Sequence, residues 1–345
     1  GGAPATIDES KVALKVSVKT NPMDYPVENF TIGFGDLADG VSGNMYIMWD
    51  KTMVVTKIET PTDKMAIESL MKEIQFEAEV SIIDPKSKAE EKRRNAFAEI
   101  YWQKKQRKGM TLLEAQKWMR ERNYFAAMMV NENQADALVT GYTRSYPTVA
   151  KPMIDLIGKI KGIRKIAATN LMLTEKGPLF LSDTAMNINP NAKELAEITR
   201  MTHKTMKMFG LAPHLAMVSF SNFGSSNHED AVKIREAVSY LHKNYPDLVI
   251  DGELQTDFAL NGELLSKIFP FSKLAGKKVN TLIFPNLNSA NITYKLLKEI
   301  NKVDSIGPIM MGMKKPVHIL PLGANADEIV NMTAVAVIDA QIQRN

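Results

Sequence analysis

Four short stretches of this chain set amides, hydroxyls and carboxylates directly after apolar runs. They are Gly141-Tyr-Thr-Arg-Ser-Tyr146, Ser219-Phe-Ser-Asn-Phe-Gly-Ser-Ser226, Asp251-Gly-Glu-Leu-Gln-Thr-Asp257 and Asn286-Leu-Asn-Ser-Ala-Asn291. The last is the most developed: Leu282, Ile283 and Phe284 read as a buried parallel strand, Pro285 ends its pairing, and the asparagines crowd a helix start with unpaired N–H groups. In one parallel sheet the four ends would share an edge, a crevice suited to ligands and to phosphate in particular. The candidate ligand-binding residues are Thr143, Arg144, Ser145, Ser221, Asn222, Ser225, Asn286, Asn288, Ser289 and Asn291, with Lys314 and Lys315 from the basic turn before Pro316. Each turn taken alone is equally an ordinary helix cap.

Other chemistries are excluded or poorly supported. The absence of Cys removes disulfides, thiolate catalysis and Cys-ligated metals. The five His are scattered without triad spacing, and Asp251, Glu253 and Asp257 lack a His pair, so no metal site is expected. Neither G-x-G-x-x-G nor a P-loop lysine pattern occurs. A formal charge of +4 argues against a nucleic-acid surface. No apolar run reaches the roughly 18 residues of a membrane helix, and no signal-peptide core is seen, so a cytoplasmic protein is expected. The 21 Met suit a compliant core.

The elements that would hold the turns fall into two styles. Val12 to Val18, Phe30 to Phe34, Met45 to Trp49 and Met53 to Ile58 predict a meander of four short strands. A boundary is expected between Thr60 and Phe76, although Met53 to Ile83 also fits one βαβ unit. Thereafter helices alternate with apolar strands. Gly109 reads as a helix C-terminal glycine, and Thr111 with Glu114 has capping-box spacing. A hairpin is expected over 166–182, strands at 214–220, 248–251 and 317–320, and a final helix over 327–341.

Two resemblances follow from quoted residues. Pro26-Val-Glu-Asn-Phe-Thr-Ile-Gly-Phe34 and Met48-Trp-Asp-Lys-Thr52 make residues 12–60 similar to a β-rich bacterial family without assigned function. Ala135-Asp-Ala-Leu-Val-Thr-Gly141, Ser219 to Ser225, Asp251 to Leu260, Phe284 to Asn291, Gly307-Pro-Ile309 and Lys315-Pro-Val317 resemble phosphate acetyltransferase from about residue 76 onward. Tyr124 to Val130, Gly177 to Thr184 and Pro316 to Leu320 resemble more closely the acetyltransferase-like C-terminal domain of bacterial NADP-dependent malic enzymes. The resemblance implies an α/β fold of two acetyltransferase-like domains, related to isocitrate and isopropylmalate dehydrogenases, with parallel-rich sheets flanked by helices after a short β-rich segment. The domains would be 76–160 with 308–345, and 161–307, behind an N-terminal segment 1–75. It also implies a homodimer or higher oligomer, acetyl-CoA or CoA as ligand with no resident cofactor, and a malic enzyme catalytic domain in a parent protein.

The departures from that family bear on function. Its active members carry Leu-Ser-Arg-Gly where this chain has Leu320-Pro-Leu-Gly323, so Pro321 and Leu322 replace the Ser-Arg pair. The family's catalytic aspartate matches Glu328, two phosphate-holding arginines match Lys105 and Lys151, and a third matches Glu299. Lysine keeps the charge but not the bidentate fork. The expectation is an acetyl-CoA-binding regulatory domain without useful turnover, the alternative an active phosphate acetyltransferase.

Overall fold

Leu215-Ala-Met-Val218 and Thr281-Leu-Ile283 are nearly all apolar, and every residue of both is buried, as strands covered on two faces require. The computed structural model describes residues 17–38, 42–59, 80–301 and 303–344. They fall into two compact units divided between Ile83 and Asp84.

The first unit holds β1 (Thr20–Ala38) and β2 (Ser42–Glu59), paired antiparallel with Thr20 opposite Val54 and Thr31 opposite Met48. Among the described residues the expected meander is therefore one hairpin. Met45 to Trp49 and Met53 to Ile58 are two halves of β2, and Asp50, at φ 49°, lies where the pairing register shifts. A polar interruption that reads as a turn is here absorbed within a paired strand. Met53 to Ile58 thus pairs within this hairpin, and residues 60–79 of the alternative βαβ unit lie outside the described residues. Residues 12–16, the helix-like 61–74 and the expected boundary between Thr60 and Phe76 lie outside the described residues.

The second unit opens with α1 (Glu91–Lys105), α2 (Leu112–Trp118) and α3 (Arg122–Asn131). Gly109 is left-handed at φ 85°, and Thr111 with Glu114 closes the capping box of α2. Then come β3 (Leu138–Gly141), α4 (Tyr146–Leu156), the hairpin β4 (Ala167–Thr174) and β5 (Gly177–Ser182), and α5 (Ala192–Met208), capped by Asn191 and Glu194. β6 (Leu215–Val218), α6 (Glu229–Asn244), β7 (Ile250–Leu254), α7 (Thr256–Leu260) and α8 (Gly262–Ile268) follow. The unit ends with β8 (Thr281–Ile283), α9 (Leu287–Asn301), β9 (Ser305–Met311), β10 (Val317–Leu320) and α10 (Ala326–Arg344).

Six strands form one sheet in the order β7-β6-β8-β5-β4-β9. β7, β6, β8 and β5 run parallel; β4 is antiparallel to both β5 and β9, so β9 points the same way as the parallel set. Five carboxyl ends therefore share one edge. Alternation divides the core between two faces: Ala216, Val218, Leu254 and Leu282 pack with α7 to α9, while Leu215, Met217, Ile250 and Ile283 pack with α5 and α6. β3 and β10 form a separate parallel pair, so the turn after Gly141 does not belong to the six-stranded sheet.

Two further differences from the sequence reading concern charge and proline. Asp251 and Glu253 lie inside β7, not in a turn after it, because both carboxylates find donors in the interior. β9 includes Pro308 and lies at the sheet edge, where proline is tolerated.

Gly141 has φ 117°, and a Cβ there would run into the Leu320 carbonyl oxygen across the β3/β10 pair. Gly141→Ala should lose about 2 kcal/mol or more in urea unfolding; a change within about 0.5 kcal/mol, typical of inert surface positions, would refute that account of the junction.

Candidate functional site

The carboxyl edge is organised by Asp183, the first residue beyond β5 and only 4% exposed. Its carboxylate accepts the N–H groups of Ala168, Ala185, Met186 and Asn187 at 2.9–3.1 Å, and the Asn187 side-chain amide at 2.5 Å. Burial raises its pKa, and those donors pull only part of the way back. The turn so fixed is tied to its neighbours. Asn291 donates to the Thr184 carbonyl at 3.0 Å, and Leu287 N–H donates to the Ile188 carbonyl at 3.0 Å, which seats the start of α9 beside the end of β5. The buried Tyr146 hydroxyl, on the first residue of α4, has no hydrogen-bond partner among the described residues. Burial and then the charge of Asp183 push its pKa up.

Within the edge, Asn286 caps α9 by accepting the Ser289 N–H at 2.9 Å, Ser289 Oγ donates back to the Asn286 carbonyl, and Asn288 is exposed. The next turn is held from below. Ser221 Oγ donates to Glu253 at 2.8 Å and lies 3.0 Å from Ser225 Oγ; Asn222 and Gln255 bond each other twice. Glu253, fully buried, also receives Gly224 N–H at 2.8 Å and Arg235 at 2.6 Å. Asp251 accepts Ser272 Oγ and Lys273 N–H, both at 2.8 Å, so the three carboxylates of this motif do not converge.

The residues read from β3 and from the family match form other groups. Thr143 receives Arg122 at 2.7 Å, Arg144 pairs with Glu121 at 2.5 Å, and Ser145 Oγ meets Thr148 Oγ1 at 2.8 Å. Lys105 is held by Asp155 at 2.7 Å. Beside it Lys104, a residue sequence reasoning passed over, donates to the Leu156 carbonyl. Its pKa is lowered by burial first and then by Lys314 and Lys105, so three ammonium groups gather between α1, α4 and the β9–β10 turn. Lys151 and Glu299 are exposed. Lys315 diverges from Lys314 and donates to Asn133 at 2.6 Å. Glu328 pairs with Lys298 of α9 at 2.5 Å and exchanges capping bonds with Asn325, joining the start of α10 to the last turn of α9. Burial alone would lower the Lys298 pKa, but the Glu328 hydrogen bond and charge raise it. Leu322 is 65% exposed beside Pro321, and neither brings a side-chain donor to the end of β10.

This arrangement offers capped helix starts, amides and a lysine cluster, which suits an anionic ligand more than proton abstraction. A cavity of about 1000 Å³ opens instead beside the amino ends of β5 and β8, lined by the Thr174–Gly177 turn and Leu297, so volume alone does not locate the site.

The family model described as phosphate acetyl/butaryl transferase matches residues 51–337. The chain belongs to that family. It is 32% identical to phosphate acetyltransferase of Clostridium acetobutylicum over 315 residues, 88% of this chain and 93% of that protein. It is 39% identical to NADP-dependent malic enzyme of Haemophilus influenzae over 242 residues, 70% of this chain but 32% of that enzyme. The chain thus spans about a third of that malic enzyme and nearly all of the clostridial transferase. A phosphotransacetylase from Streptococcus pyogenes superposes with a TM-score of 0.69 at 35% identity, covering 81% of this chain and 83% of that one. The expected α/β fold with parallel-rich sheets and a short antiparallel N-terminal segment is what the structure has. Full-length similarity favours the transferase reading over that of an inactive regulatory domain. Among the described residues no helix is long and apolar enough to cross a membrane.

Removing one member of a buried ion pair strands the other. Arg235→Met should therefore lower unfolding free energy by about 3 kcal/mol, whereas Glu253→Gln, which can still accept from Ser221 and Gly224, should lose less. Equal losses in denaturant titrations would contradict this.

Proposed function

We propose that the chain is a phosphate acetyltransferase, moving an acetyl group between acetyl phosphate and CoA. The observation that carries the reading is the match to 93% of the clostridial enzyme's length. In it, residues 84–160 with 308–344 form one wall of the cleft and residues 161–301 the other. The CoA sulfur attacks the acetyl carbon of acetyl phosphate; a C–S bond forms, the C–O bond to phosphate breaks, and phosphate leaves with the electron pair. The thiol proton passes to a base, for which the Glu328 carboxylate stands at the start of α10. Lys104, Lys105 and Lys314 offset the charge of phosphate. Asn288, Ser289 and the exposed N–H groups at the start of α9 position the CoA.

A second reading, favoured by Pro321 and Leu322, is a regulatory domain that binds acetyl-CoA without transferring it, as an oligomer joined to a malic enzyme catalytic domain. The reaction develops charge on the acyl oxygen, and a missing donor there costs roughly 10²- to 10³-fold in rate. Acetyl-CoA formation from acetyl phosphate and CoA is the test. The chain should turn over slowly, and the double variant Pro321→Ser with Leu322→Arg should be faster by about tenfold or more with acetyl-CoA affinity retained. Bound acetyl-CoA without turnover in either protein would select the second reading.

A further inference from the structure

A cavity of about 740 Å³ lies between α5, the edge strand β9 and the last turns of α10. That volume is within the range of small-molecule sites, about 300–1,000 Å³. Its floor is apolar and compliant: Met201 and Met208 from α5, Met311 and Met313 from β9 and the turn after it, and Ile163. Its rim carries Lys204 and Lys207 from α5, Lys161 from the α4–β4 connection, and Lys315.

The other charges at this cavity are already engaged. Glu197 accepts the N–H groups of Arg164 and Lys165 at 3.0–3.3 Å, and Arg200 lies over the Tyr245 ring at 4.2 Å. Asp339 faces inward, 3.6 Å from the imidazole of His318, whose two buried ring nitrogens have no hydrogen-bond partner among the described residues. Lys161, Lys204 and Lys207 have no ion pair or hydrogen bond among the described residues. Two elements thus bring three unpaired ammonium groups to the mouth of an apolar hollow, an arrangement that repels itself when empty and is relieved by an anion. These are point charges on flexible stems without a guanidinium fork, which suits a phosphate more than a bidentate carboxylate.

We propose that this cavity binds an organic phosphate with an apolar body, at a site separate from Glu328 and from the turns after β5, β6 and β8. Glu328 and Asp339 are 11 positions apart on α10, a rise of about 16 Å. Lys315 belongs to this cavity, while Lys314 joins the Lys104 cluster.

Isothermal titration with hexyl phosphate, with inorganic phosphate as control, tests the assignment. Hexyl phosphate should bind, more tightly than inorganic phosphate, and more weakly as salt rises. The variant K204E/K207E, and independently K161E, should weaken it by about tenfold or more while thermal melts stay unchanged. Saturating acetyl-CoA should leave the affinity as it was. The proposal is overturned if hexyl phosphate does not bind at millimolar concentration, binds no better than inorganic phosphate, or is indifferent to the charge reversals. Displacement by acetyl-CoA would also overturn it, since the cavity would then belong to the transferase site; failure of the transferase reading leaves this test untouched.

Discussion

A carboxylate can be buried only where donors replace the water it loses. At the end of β5 that constraint shapes the whole edge. Asp183 collects four backbone N–H groups and one amide, so the chain from Ala185 to Asn187 must wrap around it. The turn so shaped presents the Thr184 carbonyl to Asn291 and the Ile188 carbonyl to Leu287, which fixes where α9 begins. Glu253 does the same for the turn after β6 through Ser221, Gly224 and Arg235. These carboxylates are committed to scaffolding, which leaves lysines, amides and helix starts to meet a ligand.

That division suits acyl transfer to or from phosphate, whose demands are charge compensation and positioning. Glu328 shows the same economy: one carboxylate caps α10 and pairs with Lys298 of α9. The exposed Leu322 and its neighbour Pro321 bring no side-chain donor to the end of β10.

Much of this was legible in the residues. Strand periodicity, capping boxes and the Phe284 to Asn291 turn follow local rules, and the observed elements keep them. The β2 strand did not, because an Asp accepted in left-handed backbone looks in sequence like the turn it replaces. Asp251 and Glu253 looked like turn residues because their partners Ser272 and Arg235 are remote in sequence and only folding brings them near. Asp183 and Lys104 were passed over for the same reason: a buried carboxylate and a lysine bonded to the remote Leu156 carbonyl are recognised by surroundings, and their own short segments carry no periodic signal. The parallel pairing of β3 with β10 joins segments some 180 residues apart, which no local pattern specifies.

The account stands on the carboxyl edge as a working transferase site. Its most direct test is incubation of the chain with acetyl-CoA and isotopically labelled phosphate, followed by separation of the products. Label should appear in acetyl phosphate, at a rate that depends on both substrates. Tight binding of acetyl-CoA with no label transferred would contradict it and leave a ligand-sensing domain in its place.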